Sequence, residues 1–192
     1  MSNLMLLVFG TNQSNNTPYD IILQFINNQN VNIIEQKEKK NITFEYSLQK
    51  GDPTKIKTIF IKEIIGKKPY YDKADAYIIF VDLESVESLD KLNQITQFIL
   101  ECNYSIPAFI LGHYKNNNDK IQSLNSETMN KQLKKYKKLN YNYDEICIEQ
   151  KKIFNEIFEI NLKKCYDFKN KNKNKKIKSI EQDEANSNCF IY

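Results

Sequence analysis

Three stretches of this chain, Leu4 to Phe9, Ala76 to Val81 and Ile106 to Leu111, are built almost entirely from apolar residues. A strand with one wet face alternates apolar and polar side chains. A uniformly apolar run is dry on both faces, which is the mark of a strand inside a parallel sheet with helices above and below. Parallel neighbours need crossover connections of a dozen or more residues, so these three runs already demand helices between most strands.

The chain supplies them. After Leu4–Phe9 comes Gly10, a polar loop from Thr11 to Asn16, and then Ile21, Ile22, Leu23, Phe25 and Ile26 at amphipathic helical spacing from Thr17 onward. Pro18 is compatible with the first turn of that helix. Ile42–Leu48 and Ile56–Ile65 predict two strands joined by the turn Lys50-Gly51-Asp52-Pro53, a hairpin. Leu89, Leu92, Ile95, Phe98, Ile99 and Cys102 predict a helix from Ser88, and Lys120–Leu139 a lysine-rich exposed helix. Ile146–Ile148 predicts a last short strand, and Phe154, Ile157, Phe158 and Cys165 a closing helix. The sum is an α/β fold with a six-stranded, mostly parallel sheet, one antiparallel strand from the early hairpin, and helices on both faces. Periodicity stops after Phe168, so residues 1–168 are expected to form one domain and 169–192 a disordered lysine-rich tail.

Composition narrows the functions. The 28 basic residues are all lysine, against 24 acids, for a net charge of +4. Bidentate clamping of guanine edges or phosphates is arginine chemistry, and no basic stripe with interleaved aromatics occurs in the periodic region, so no nucleic-acid partner is expected. The four cysteines show no Cys-x-x-Cys pair, which argues against a zinc site or a disulfide framework. No apolar run reaches membrane-spanning length and no signal peptide is evident at Met1–Gly10, so a soluble cytosolic chain is the default expectation.

From Leu4 to Phe168 the chain resembles the Ras superfamily of small GTPases, with a tail of the same type. The resemblance rests on the element order, hairpin included, on Gly10, Gly66 and Gly112, and on two segments. Tyr70–Asp82 is similar to the Rab-type stretch entering the fourth strand, and Ile106–Gly112 to the fifth. It implies a P-loop NTPase-like fold, GTP or GDP with Mg²⁺ as ligands, and effector or regulator proteins as partners.

The family's phosphate loop is G-x-x-x-x-G-K-[ST], and this chain reads Gly10-Thr11-Asn12-Gln13-Ser14-Asn15-Asn16-Thr17. Gly10 and Thr17 keep their places, Thr17 as the Mg²⁺ ligand. Asn15 replaces the second glycine and, as the residue that best tolerates a positive φ after glycine, preserves the loop shape. Asn16 replaces the lysine and loses its charge. A plainer reading makes these residues a polar strand-to-helix loop with Thr17 as a helix cap.

For the second switch, D-x-x-G-Q, the chain has Glu63-Ile64-Ile65-Gly66-Lys67. Glu63 stands at the metal-facing carboxylate and Gly66 at the γ-phosphate amide. Lys67 replaces the glutamine that positions water and has no acceptor for a water proton. The first switch has Glu38-Lys39-Lys40-Asn41 where a threonine belongs, and Thr43 lies too late, within the strand pattern. No catalytic residue is therefore assigned.

Base recognition by N-K-x-D falls on His113-Tyr114-Lys115-Asn116, with Asn116 at the aspartate. A one-residue slip instead puts Lys115 on the lysine and Asn117 on the aspartate. Either way a carboxylate becomes an amide, which suits a 2-oxo purine better than guanine. His113 is the single histidine, and its plain reading is a loop residue at a strand end. The family's last motif falls on Cys147-Ile148-Glu149, where Cys147 is expected in the core.

The tail carries eight lysines between Lys163 and Lys178, then Glu181, Asp183 and Glu184, then Cys189-Phe190-Ile191-Tyr192. A C-terminal C-a-a-X with upstream lysines is a two-signal membrane anchor, prenylation of Cys189 plus attraction to anionic lipid. Tyr192 is not a usual last residue; its nearest relative, Phe, favours geranylgeranyl. The expected whole is a small-GTPase-like protein of signalling or vesicle traffic, lipid-anchored on the cytoplasmic face of a membrane. Its nucleotide binding is weakened and its hydrolysis impaired or absent. The alternative is a scaffold that binds no nucleotide.

Overall fold

The computed structural model describes residues 2–11, 17–29, 31–37, 40–49, 52–61, 73–102, 105–115 and 123–187, with side chains along the last helix to residue 172. The order is β1 (Ser2–Gly10), α1 (Pro18–Asn28), β2 (Ile33–Lys37), β3 (Asn41–Gln49), β4 (Asp52–Ile61), β5 (Ala76–Asp82), α2 (Ser88–Cys102), β6 (Ala108–Tyr114), α3 (Ser126–Leu133), β7 (Tyr141–Cys147) and α4 (Lys151–Ser187).

The strands form one seven-stranded sheet in the order β2-β3-β4-β1-β5-β6-β7. β4, β1, β5, β6 and β7 pair in parallel, while β3 pairs antiparallel with both β2 and β4. β3 is thus the single reversed strand among those described, as the hairpin pattern predicts. The expected count of six is corrected to seven. β2 was not legible because all five of its residues are exposed, so it has no apolar alternation, and its backbone pairing to β3 is what makes it a strand.

The three apolar runs are β1, the wholly buried β5 and β6. Their side chains divide by alternation between two cores. Leu6, Val8, Ile78, Phe80 and Phe109 pack with Ile22 and Phe25 of α1 and Phe154, Phe158 and Leu162 of α4. Leu7, Phe9, Ile79, Val81 and Ile110 pack on the other face with Leu92, Ile95 and Ile99 of α2 and Met129 and Leu133 of α3. Helices therefore cover both faces, as expected.

Two helix boundaries differ from expectation. Among the described residues of the stretch Lys120–Leu139, α3 covers Ser126–Leu133, starting where the Asn125 side chain accepts the Thr128 N–H at 2.9 Å. The boundary expected at Phe168 falls inside α4, which continues to Ser187. Once the packed half has nucleated, each further helical residue adds a hydrogen bond without a new nucleation cost. Just past Phe168, Lys169 donates to the Asp75 carboxylate at 2.8 Å and to the Asn3 carbonyl at 2.6 Å. Asp75 also accepts the Met5 N–H at 2.8 Å, so α4 is tied to the start of β5 and to β1.

Candidate functional site

In an open α/β sheet, ligands bind beyond the carboxyl ends of the strands where the connections diverge. Here the chain leaves β1 toward β4 on one side, while β5 leads to β6 on the other. The divergence lies between β1 and β5, and Gly10, Thr11 and Thr17 flank it.

Gly10 is the last residue of β1 and pairs with Phe80. Thr11 follows, buried, with its N–H on the Phe80 carbonyl at 3.0 Å. Its hydroxyl donates to Ser88 Oγ at 2.9 Å and accepts the Asp82 N–H at 3.0 Å. The expected loop residues Asn12 to Asn16, including Asn15 and Asn16, lie outside the described residues.

Thr17 caps α1. Its Oγ1 accepts the Asp20 N–H at 3.4 Å, and the Asp20 carboxylate accepts both the Thr17 hydroxyl at 2.5 Å and the Thr17 N–H at 3.1 Å. This capping box follows from Thr and Asp three residues apart, with Pro18 in the first turn. The expected cap is therefore present. A threonine hydroxyl has one proton and two lone pairs, and the box engages the proton and one lone pair, leaving one lone pair for a cation.

Beyond β5 and β6, Asp82 and His113 sit side by side in register, each 2% exposed. The Asp82 carboxylate accepts the Glu84 N–H at 3.0 Å. Burial pushes the His113 imidazole down to about 4, and the Asp82 charge works against that shift without reversing it. His113 is thus neutral near pH 7 and lies inside β6, which corrects its expected place in a loop. Its ring stands edge-on to Phe80.

The next turns are stitched to one another. Leu83 N–H donates to the His113 carbonyl at 2.9 Å, Leu124 N–H to the Leu83 carbonyl at 3.0 Å, and Lys115 N–H to the Glu84 carboxylate at 3.4 Å. Cys147, buried as expected, points its Sγ at the Lys115 carbonyl at 3.6 Å. Gln24 of α1 donates to the Ile148 carbonyl at 3.0 Å, joining the first helix to the end of β7.

Gly10, Thr17, His113 and Lys115 are therefore brought to one edge of the sheet. Glu63, Gly66, Lys67, Asn116, Asn117 and Cys189 lie outside the described residues. Among the described residues, no group of three or more His, Cys, Asp or Glu side chains is placed to hold a metal ion. The residues missed in the sequence are Thr11, Asp82 and Ser88. A carboxylate closing a run as apolar as Ala76–Val81 is the one signal that pointed to Asp82.

The arrangement defines an α/β protein of mixed sheet with a braced polar edge at its strand divergence. The chain matches no protein-family model and no curated protein.

Proposed function

We propose that this chain is a small-GTPase-like protein of signalling or vesicle traffic, with a P-loop NTPase-like fold and a weakened guanine-nucleotide site that does not hydrolyse GTP efficiently. The observation that carries the reading is that β1 ends at Gly10 beside the divergence between β1 and β5 and that the next helix, α1, begins under its Thr17 cap. A helix start at that point favours an anion through its dipole.

The described residues fit a weak site. Thr17 would hold the Mg²⁺ through its remaining lone pair, and the cation would neutralise phosphate charge. His113 and Lys115 would stand on the base side. Asn16 in place of lysine removes a cation beside the phosphates, at a cost of about 3–5 kcal/mol by analogy with breaking a desolvated charge pair. Lys67 has no acceptor with which to position an attacking water. Prenylation of Cys189 with the neighbouring lysines would hold the protein on the cytoplasmic face of a membrane, where effector or regulator proteins would meet it.

A second reading, a scaffold that binds no nucleotide, draws on the Thr17–Asp20 box, because the hydroxyl's proton and one lone pair are taken up by its own helix. Quantifying nucleotide released from freshly purified protein separates the two. Substoichiometric GDP or GTP, together with a thermal midpoint raised by added nucleotide and Mg²⁺, supports the first. No released nucleotide and no shift at millimolar ligand supports the scaffold.

A further inference from the structure

Among the described side chains of α4, Lys169 is the last that is hydrogen-bonded to another element. Phe168 before it leans on the core of the α2 face, and Lys171 after it is exposed. The Lys169 ammonium donates to the Asn3 carbonyl at 2.6 Å and to Asp75 Oδ2 at 2.8 Å, and that same oxygen accepts the Met5 N–H at 2.8 Å. The Lys169 and Asp75 side chains are 32% and 18% exposed. Three features let this contact open without disturbing the fold. Asp75 keeps the Met5 N–H when the ammonium leaves. The Asn3 carbonyl belongs to an exposed residue near the start of β1, where water takes the place of the lysine. The ammonium itself swings into solvent on a flexible four-carbon stem. No buried group is left unpaired, which is what makes the breaking of a buried pair costly. α4 stays docked through the buried Leu162, Cys165 and Tyr166.

Lys169 also opens the densest run of lysines in the tail. Six of the ten residues from Lys169 to Lys178 are lysine, and none is acidic. Asp75 therefore neutralises the first charge of that run at the point where it leaves the domain. We propose that the Asp75–Lys169 contact is an autoinhibitory clasp, in which Asp75 holds the first lysine of the tail on the fold and lowers the affinity of the tail for an anionic bilayer. Lipid headgroups and Asp75 compete for one ammonium, so the coupling is reciprocal: bilayer binding opens the clasp, and a weaker clasp strengthens bilayer binding. One lysine near an anionic surface changes affinity several-fold, which sets the size of the restraint. The inference rests on the membrane half of the function proposed above, but its contact lies within the fold and needs no lipid on Cys189.

Two measurements on the full-length, unlipidated chain test the clasp. Acetylation by an amine-reactive ester, followed residue by residue by mass spectrometry, should be several-fold slower at Lys169 than at Lys171. Asp75→Asn, which keeps an oxygen for the Met5 N–H, should bring Lys169 up to the rate of Lys171 at a nearly unchanged urea midpoint. Equal rates at the two lysines in wild type, a comparison that needs no variant, would show that the clasp is not closed in solution and would overturn the proposal. Co-sedimentation with vesicles of phosphatidylcholine and phosphatidylserine should be several-fold stronger for Asp75→Asn than for wild type. In a Lys169→Gln background, Asp75→Asn should add little. The same gain with and without Lys169 would be the general effect of one lost acid, and would overturn the clasp as its cause. Vesicle binding that Asp75→Asn leaves unchanged would overturn the restraint and leave the membrane reading standing. Absence of binding by every variant would overturn both, with the acetylation rates still reporting the contact itself.

Discussion

The Thr11 hydroxyl donates to the Ser88 hydroxyl at 2.9 Å across 77 positions of the chain, while the same oxygen accepts the Asp82 N–H at 3.0 Å. One side chain just past β1 thereby holds the end of β5 and the first turn of α2. Thr11→Val keeps the shape and removes both bonds, leaving the Asp82 N–H without its acceptor in a buried setting. The expected loss is about 1–3 kcal/mol in urea unfolding, with Thr11→Ser much closer to wild type. Equal midpoints for Val and wild type would show that the bridge contributes nothing.

His113 gives the fold a pH dependence of known sign. Its folded value, about 4, lies below the ordinary 6.5, so the unfolded chain binds the proton more readily. Its contribution to stability is complete above about 6.5, declines as pH falls toward 4, and levels off below that. The carboxylates titrate in both proteins, so the difference between wild type and His113→Asn isolates the imidazole. Urea unfolding at pH 7 and pH 5 should show wild type losing more stability than the variant. The same loss in both would remove His113 as the cause.

Gly112 leaves no room for a side chain. A Cβ there would lie 2.9 Å from Tyr143 Oη and 3.0 Å from both Leu83 methyls. The Tyr143 hydroxyl is held by Glu145 at 2.8 Å, and Leu83 is fully buried. Gly112→Ala is expected to cost about 1–3 kcal/mol by overpacking. Pairing it with Tyr143→Phe, which frees the ring end, should recover part of the loss, read as a non-additive double-mutant cycle.

Under the proposed nucleotide-binding function, Asn16, Lys67 and the missing switch-one threonine would all bear on the same phosphate chemistry. Single-turnover hydrolysis of GTP is expected below ~10⁻⁴ s⁻¹, the order of the intrinsic Ras rate. A family-like rate abolished by Thr17→Ala would sink this expectation and show that another group does the work of the lysine.

If the proposed lipid anchor operates, membrane residence is expected to depend on two signals. Cys189→Ser should release the protein fully to the soluble fraction, and replacing the eight lysines of Lys163–Lys178 by Gln should release it in part, more so at high salt. Unchanged fractionation of Cys189→Ser would refute the anchor.

Periodicity made much of this architecture legible. β1, β5 and β6 announce themselves because a strand dry on both faces has no polar position to spare, and α1 because Thr17 and Pro18 open an apolar run at helical spacing from Ile21 to Ile26. β2 was hidden because an edge strand exposed along its whole length owes its form to backbone bonds with β3, which side-chain pattern does not encode. The length of α4 was hidden for a related reason: the helix continues from a packed half, and the Lys169–Asp75 contact spans 94 positions.

The polar edge divides the same way. By itself the sequence determined which residues follow the strands, placing Gly10, His113 and Lys115 near strand ends through the lengths of the apolar runs and Thr17 at the start of the helix after β1. Only the tertiary structure decided that Thr11 meets Ser88, that Asp82 lies beside His113, and that His113 is buried and neutral. Those relations depend on which strands become neighbours, and neighbouring is settled by packing two cores across one sheet rather than by any local run of residues.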